Sequence, residues 1–143
     1  MSGLATQPNM AKLAVWFLLD QPEVTALVGD RIFTDPPANA TFPMLRIVQA
    51  GGPTDGLRWV GQTFLQVSAW GPGKGDRSAA YDLAETAAAA MKQRLRDTIE
   101  AGGVTAVISH VDVTRVHDDT DAAYSPPKPR SWFTALIFAT PTP

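Results

Sequence analysis

The sequence predicts an α+β fold, in which a mostly antiparallel sheet of four to five strands carries helices packed on one face. Residues 64–70 alternate between apolar and mixed side chains, as in a strand with one face on a core. Residues 80–99 are rich in alanine and have helical spacing. Shorter segments on either side complete the order α-α-β-β-α-β-β within a single domain, residues 1–143.

The central strand and helix follow from side-chain periodicity. Alternation places one apolar set of strand residues on the core and a mixed set on the other face. The apolar set is Leu65, Val67 and Ala69, and the mixed set is Phe64, Gln66, Ser68 and Trp70. After a Gly- and Pro-rich turn, Asp76 or Ser78 can cap the helix. Its apolar face is Ala80, Leu83, Ala84, Ala87, Met91, Leu95 and Ile99, and Gly102 and Gly103 are expected to end it.

The first third of the chain predicts two helices. Residues 1–8 resemble a loose end, and Asn9 is placed to cap a helix that carries Leu13, Trp16 and Phe17. Pro22 suits a helix's first position and Gly29 its end, so residues 22–28 predict a second short helix.

The remaining strands are shorter or less regular. A minor extended piece at residues 31–33 precedes a strand at 43–49, and the short turn at 50–57 favours a hairpin with the central strand. Residues 104–117 predict another strand, with Val107, Val111 and Val113 on one face. Residues 118–130 read as a polar extended loop. Residues 131–140 predict the last strand, with Phe133, Ala135 and Ile137 on one side and Trp132, Leu136 and Phe138 on the other.

The composition excludes several classes of protein. Hydrophobic residues make up 45% of the 143 residues, enough for a core, and charged residues only 18%. A net charge of −2 does not suggest a nucleic-acid-binding protein, which usually shows a basic face. The absence of cysteine excludes disulfides and thiolate metal sites. The sequence shows neither a signal peptide nor a membrane-spanning segment, so no membrane partner is expected.

The glycine-rich loop from Gly71 to Asp76 has the layout of a phosphate cradle, because it follows a strand and precedes a helix. It lacks the required pattern. Ser68 stands where a P-loop needs its first glycine, Gly75 where it needs Ser or Thr, and Asp76 where a dinucleotide fingerprint needs glycine. We expect a plain strand-to-helix turn and no cofactor.

The acidic cluster of His117, Asp118, Asp119 and Asp121 fails the test for a calcium loop. Counted from Asp119, Tyr124 falls where the loop needs glycine, and Arg130 where it needs the bidentate glutamate. A solvated loop is the simpler interpretation, and no metal site is predicted.

His110 and Asp112 lie on one face of a predicted strand and could serve a catalytic base. No cysteine or recognisable serine nucleophile accompanies them, so a cross-strand polar pair is the favoured interpretation. We therefore interpret the chain as a non-enzyme. Trp59 and Trp70 are candidate interface anchors near the glycine-rich turns, and partial cover by a loop is the equal alternative for Trp70.

Three segments resemble the small tail-completion or tail-terminator proteins of long-tailed bacteriophages. The first joins ALVGDRIF at residues 26–33 to the strand PMLRIV at 43–48. The second is the strand, short turn and alanine-rich helix at residues 63–95. The third is the closing strand pair with an Asp- and Tyr-containing loop at residues 117–129. The resemblance covers about residues 10–139.

The resemblance implies a structural virion protein of the phage tail, assembled in the host cell cytoplasm. Tail terminators form a ring, typically of six subunits, that caps the completed tail tube, ends tube polymerisation and provides the head-joining surface. The implied partners are further copies of the chain, the tail tube protein and a head-side connector protein. DNA would meet the protein only by passage through the ring.

A closed ring uses two different patches per subunit, so loops are natural contact sites. We predict that the loops at 50–58 and 118–130 contact neighbouring subunits or the tube. The predicted interface residues are Arg58, Trp59, Trp70, Asp118, Asp119, Tyr124 and Arg130. Two alternatives remain: a head–tail connector or neck protein, and a ligand-binding α+β domain that uses the Gly71 to Asp76 loop.

Overall fold

The computed structural model describes residues 8–50, 61–72, 77–124 and 127–141. These stretches contain three helices and seven strands, so the predicted α+β class is confirmed. In chain order they are α1 (Met10–Leu19), α2 (Pro22–Val28), β1 (Ile32–Phe33), β2 (Met44–Gln49), β3 (Gly61–Trp70), α3 (Arg77–Arg94), β4 (Asp97–Ala101), β5 (Val104–Val113), β6 (His117–Asp121) and β7 (Lys128–Pro141).

The strands form one mixed sheet in the order β1-β2-β3-β7-β5-β4, and β6 pairs with β7. Only β1 and β2 run parallel among the described pairs. The predicted antiparallel pairing of β2 with β3 is confirmed. The long strand β7 is the centre of the sheet, because it pairs with β3 along one side and with β6 and then β5 along the other.

All three helices pack on one face of the sheet. The predicted core sides of β3 and β7 are correct, because Leu65, Val67, Ala69, Phe133, Ala135 and Ile137 are all fully buried. They join apolar residues of the helices in one hydrophobic cluster. The helix starts also follow the sequence. The Asn9 side chain accepts a hydrogen bond from the backbone N–H of Lys12, and Pro22 begins α2.

The predicted C-terminal end of the long helix is wrong. α3 ends at Arg94, and Asp97 takes a left-handed conformation with φ 61°. Ile99 then pairs with Ala106 in β4 instead of continuing the helix. Gly102 and Gly103 both have positive φ and join β4 to β5 as a two-residue hairpin turn, the conformation that glycine supplies most easily.

The predicted faces of the strand at residues 104–117 are correct after Ser109, where Val111 and Val113 lie on the core side, and wrong before it. A bulge at Ser109 lets Ile108 pair with Ala139 while His110 pairs with Phe138. One extra residue reverses the alternation, so Ile108 and Val111 are both buried and Val107 is 38% exposed.

The predicted extended loop at residues 118–130 is wrong over most of its length. It contains most of β6 and the first residues of β7, which pair with each other. With β4 and β6 added, the sheet has seven strands instead of four to five, and the predicted element order is incomplete.

Candidate interaction surface

β6, the turn after it and the start of β7 form a polar ribbon at one end of the sheet. We call residues 117–124 and 127–132 the β6–β7 end. Polar side chains dominate β6, and its antiparallel register pairs each of them with a defined residue of β7. Because β6 buries no apolar side chain, its position depends on these cross-strand pairs.

The strongest of these pairs joins Asp119 to Arg130. The Arg130 Nε and one terminal nitrogen donate to the two carboxylate oxygens of Asp119 at 2.9 and 2.6 Å. Such paired bonds fix both the distance and the plane of the two groups. Bonding to Arg130 holds the pKa of Asp119 below its usual range and raises the pKa of Arg130. The pair is therefore ionised on both sides at neutral pH.

Trp70 anchors the β6–β7 end to the sheet. Its side chain is only 3% exposed, and the indole N–H donates to Asp121 Oδ2 at 3.1 Å. The other carboxylate oxygen of Asp121 accepts from the backbone N–H of Ala123 at 3.0 Å. The sequence left two interpretations of Trp70 open, an interface anchor or a residue partly covered by a loop. In the structure Asp121 and Tyr124 of the β6–β7 end cover it.

Aromatic rings close the same corner. The Tyr124 ring lies edge-on to Trp70 at 6.4 Å and to Phe42 at 5.4 Å between ring centroids. Lys128 Nζ stands 4.4 Å from the centre of the Phe42 ring, a cation–π contact. These rings bring residues from three distant parts of the chain together over the end of β3.

Two further contacts hold the β6–β7 end. The His117 ring stacks on Trp132 at 4.6 Å. On the helix side, Arg77 at the start of α3 donates to the Asp119 carbonyl at 2.9 Å and to Thr120 Oγ1 at 3.2 Å. The segment is therefore bound to both β7 and α3.

Five of the seven predicted interface residues lie together in this region: Trp70, Asp118, Asp119, Tyr124 and Arg130. The other two, Arg58 and Trp59, fall outside the described residues. The predicted interface residues did not include five others that complete the contacts: Phe42, Arg77, His117, Lys128 and Trp132. Alternation in β6 was the available signal, since it places His117, Asp119 and Asp121 on one face.

The aspartates of β6 are engaged within the chain. Asp118 lies on the opposite face from Asp119 and Asp121, and its Oδ1 accepts from Ser131 Oγ at 2.6 Å. Among the described residues there is no group of three or more His, Cys, Asp or Glu side chains arranged to hold a metal ion.

His110 and Asp112 were expected to form a cross-strand polar pair, and the structure gives them a different geometry. His110 Nε2 lies 2.8 Å from Asp112 Oδ1, and both side chains are more than 60% exposed. The contact runs along one strand, and the cross-strand neighbours of these residues are Phe138 and Leu136. Of the Gly71 to Asp76 loop, only Gly71 and Pro72 are described.

The sheet face opposite the helices carries a second feature. Phe64, Leu136 and Phe138 are half-buried neighbours on β3 and β7, and Val48 and Val107 are more exposed. We call these five residues the open face. Apolar side chains in such a group are typical of surfaces that contact other proteins.

A polar-aromatic end held by hydrogen bonds and a sheet face with several partly exposed apolar side chains are features that occur in proteins that bind other proteins. The family model described as "Tail completion protein gp17" matches residues 15–125, well over half of the chain. The chain therefore belongs to the phage tail-completion protein family, whose members are structural proteins of the phage tail. No curated protein matches the chain significantly. Within the described residues, no helix is both long and apolar enough to cross a membrane.

Proposed function

We propose that the protein is a tail terminator. In this proposal a ring of subunits, six by the family expectation, caps the completed tail tube and ends its polymerisation. The ring also offers the surface that the head-side connector binds. Membership of the tail-completion family is the observation that carries the proposal.

The β6–β7 end is the surface that we assign to contacts with a neighbouring subunit or the tube. Its contacts with β7, β3 and α3 fix it before any partner arrives. A preordered surface loses less conformational entropy on binding than a loop that must be ordered. This supports a role in an assembly whose geometry has to match a preformed tube.

A closed ring requires two different patches on each subunit. The open face supplies a candidate for the second patch, because its five apolar side chains are partly exposed and lie away from the helices. The low proportion of charged residues agrees with large contact areas, since charged residues are depleted in interface cores.

Tube polymerisation tests the proposal. Purified tail tube protein is assembled with the wild-type chain, with Ala122→Arg in the turn after β6, or with Ala89→Arg on α3. Both alanines are exposed and both changes add the same side chain. Electron microscopy should show tubes of limited length, each with a cap, for wild type and Ala89→Arg, and overlong uncapped tubes for Ala122→Arg.

Equal capping by both variants would remove the assignment of the β6–β7 end. Tubes of unlimited length with the wild-type chain would overturn the terminator function itself. If the wild-type chain leaves tube length unchanged but is needed to join tails to heads, the protein is instead a connector.

A further inference from the structure

We infer that the free edge of β4 is a self-association surface, where a second copy of the chain pairs antiparallel about Ile99. β4 is the last strand of the sheet, since it pairs with β5 and with no other strand in the described part of the chain. The inference concerns a different edge from the β6–β7 end and does not depend on the terminator function.

The hairpin register determines which backbone groups are free. Ala101 and Val104 flank the two-residue turn and form a hydrogen-bonded pair. Hydrogen-bonded and non-bonded pairs alternate along an antiparallel ladder, so Ile99 and Asp97 bond to β5 while Thr98 and Glu100 do not. The N–H and C=O groups of Thr98 and Glu100 therefore point to the open edge.

This pattern is complementary to itself. With a two-fold axis at Ile99, Thr98 stands opposite Glu100 of the second copy, and Glu100 stands opposite its Thr98. Both residues then use their free backbone groups in hydrogen-bonded pairs. The side chains of Thr98 and Glu100 also match, because a threonine hydroxyl can donate to a glutamate on the opposite strand. Thr105 does so to Glu100 across the β4–β5 pair at 3.3 Å.

Other registers and edges are less favourable. An axis at Glu100 would place two carboxylates opposite each other, and an axis at Thr98 would place Ile99 opposite Asp97. β1 has only two residues, and self-pairing of β6 would bring several aspartates together. β4 also lacks the lysine or proline that commonly protects an edge strand.

The neighbourhood of β4 provides apolar area for the contact. A groove of about 670 Å³ runs between β4 and the end of α1, where Trp16, Phe17, Leu19 and Ile99 are the bulky apolar part of a lining that also includes Asp20, Gln21, Arg94, Thr98 and Glu100. Trp16 is 51% exposed, the largest value among the bulky apolar side chains described. A strand added at β4 would lie beside this groove and cover part of the indole.

Cysteine cross-linking tests the register, because the chain has no cysteine of its own. Opposed Cα atoms of a non-hydrogen-bonded pair lie about 4.5 Å apart, within the range of a disulfide. Ile99→Cys should therefore give a disulfide-linked dimer under mild oxidation. Leu27→Cys, an exposed apolar residue of α2 that belongs to neither proposed surface, is the control and should stay monomeric on a non-reducing gel. Equal cross-linking of the two variants, or none at residue 99, would overturn the inference.

Charge substitutions test the same register without altering the backbone. Thr98→Lys places a cation opposite Glu100 of the second copy and should tighten the dimer by about threefold to tenfold, and Thr98→Glu should weaken it by a similar factor. Sedimentation analysis should give about twice 15.3 kDa for the wild-type dimer. A wild-type monomer at every concentration, or the same shift for both variants, would contradict the pairing. A six-subunit ring without the residue-99 cross-link would favour the terminator function and overturn this inference. A cross-linked dimer that never caps tubes would support this inference and overturn the terminator function.

Discussion

The two faces of the sheet differ both in residue type and in cover, since the helix side is apolar and the open side mixes apolar with polar residues. On the helix side Phe133 is fully buried, whereas Phe138, five residues along the same strand, is only half-buried on the open face. Among the described residues, Tyr124 and Phe42 close over Trp70 at one corner of that second face, and the His110 ring lies 5.8 Å from that of Phe138. The comparison indicates that the helix side contributes most to the stability of the chain, and the partly exposed apolar side chains of the open face belong to the surface that we propose for partners.

Substitution of the two phenylalanines gives the largest test of this difference. Phe133→Ala should lower the free energy of unfolding by about 3–5 kcal/mol, because a fully buried ring leaves a cavity. Phe138→Ala should lower it by about 1 kcal/mol, because the ring is already partly hydrated. Urea denaturation of both variants measures the difference. Equal losses would show that the open face contributes to stability as much as the core.

The hairpin turn beneath α1 gives the next largest effect. A Cβ on Gly102 would lie 2.1 Å from Cδ1 of Trp16, and the residue has φ +61°. Gly102→Ala should therefore destabilise the protein by about 2–4 kcal/mol, from left-handed strain and overpacking together. Gly103→Ala is the control, since its Cβ would meet nothing within 4 Å at φ +78°. It should lose only about 1–2 kcal/mol, from the conformation alone. Similar melting temperatures for the two variants would exclude the Trp16 contact as a cause.

The same turn shows where the sequence was insufficient. Gly102 and Gly103 fit both the end of a helix and a two-residue hairpin, and Ile99 follows Leu95 at a spacing that a helix also has. Pairing of Ile99 with Ala106 in β5 decides between them, and β5 is held in place by β7, which is distant in sequence. The bulge at Ser109 is likewise set by the register against β7.

The sequence predicted α1, α2, β2, β3 and β7 because each has a local cap or an alternating apolar pattern. β6 has neither. Its stability comes from pairs such as Asp119 with Arg130 and from the bond between Trp70 and Asp121, residues 51 positions apart. For the same reason the sequence pointed to five residues that lie together in the structure but did not predict the contacts among them.

Removal of the Trp70 hydrogen bond tests how firmly the chain covers its corner of the open face. Trp70→Phe keeps a ring in place but leaves the Asp121 carboxylate without the indole donor. The free energy of unfolding should fall by about 1–2 kcal/mol. Asp121→Asn retains an acceptor oxygen and should lose less. Urea denaturation compares the two variants, and a Trp70→Phe protein as stable as wild type would show that ring packing alone holds the β6–β7 end.

On the helix side, Glu23 and Arg94 give the smallest expected effect. Arg94 donates to both carboxylate oxygens of Glu23 at 2.8 and 2.6 Å, which joins α2 to α3. Hydrogen bonding to Arg94 lowers the pKa of Glu23 from 4.5 to about 2. A depressed folded-state pKa stabilises the protein above the unfolded value, and this stabilisation is lost as the pH falls from about 4.5 through about 2.

The melting temperature of Glu23→Gln should therefore lie slightly below that of wild type at neutral pH, and the gap should close as the pH falls to about 2. The effect is small because both side chains are about half exposed and solvent screens the pair. Asp82→Asn, about 18 Å from Arg94 along α3, is a control that should not reproduce this pH-dependent gap. A gap that persists unchanged at low pH would mean that the glutamate stabilises the α2–α3 contact by packing and not by its charge.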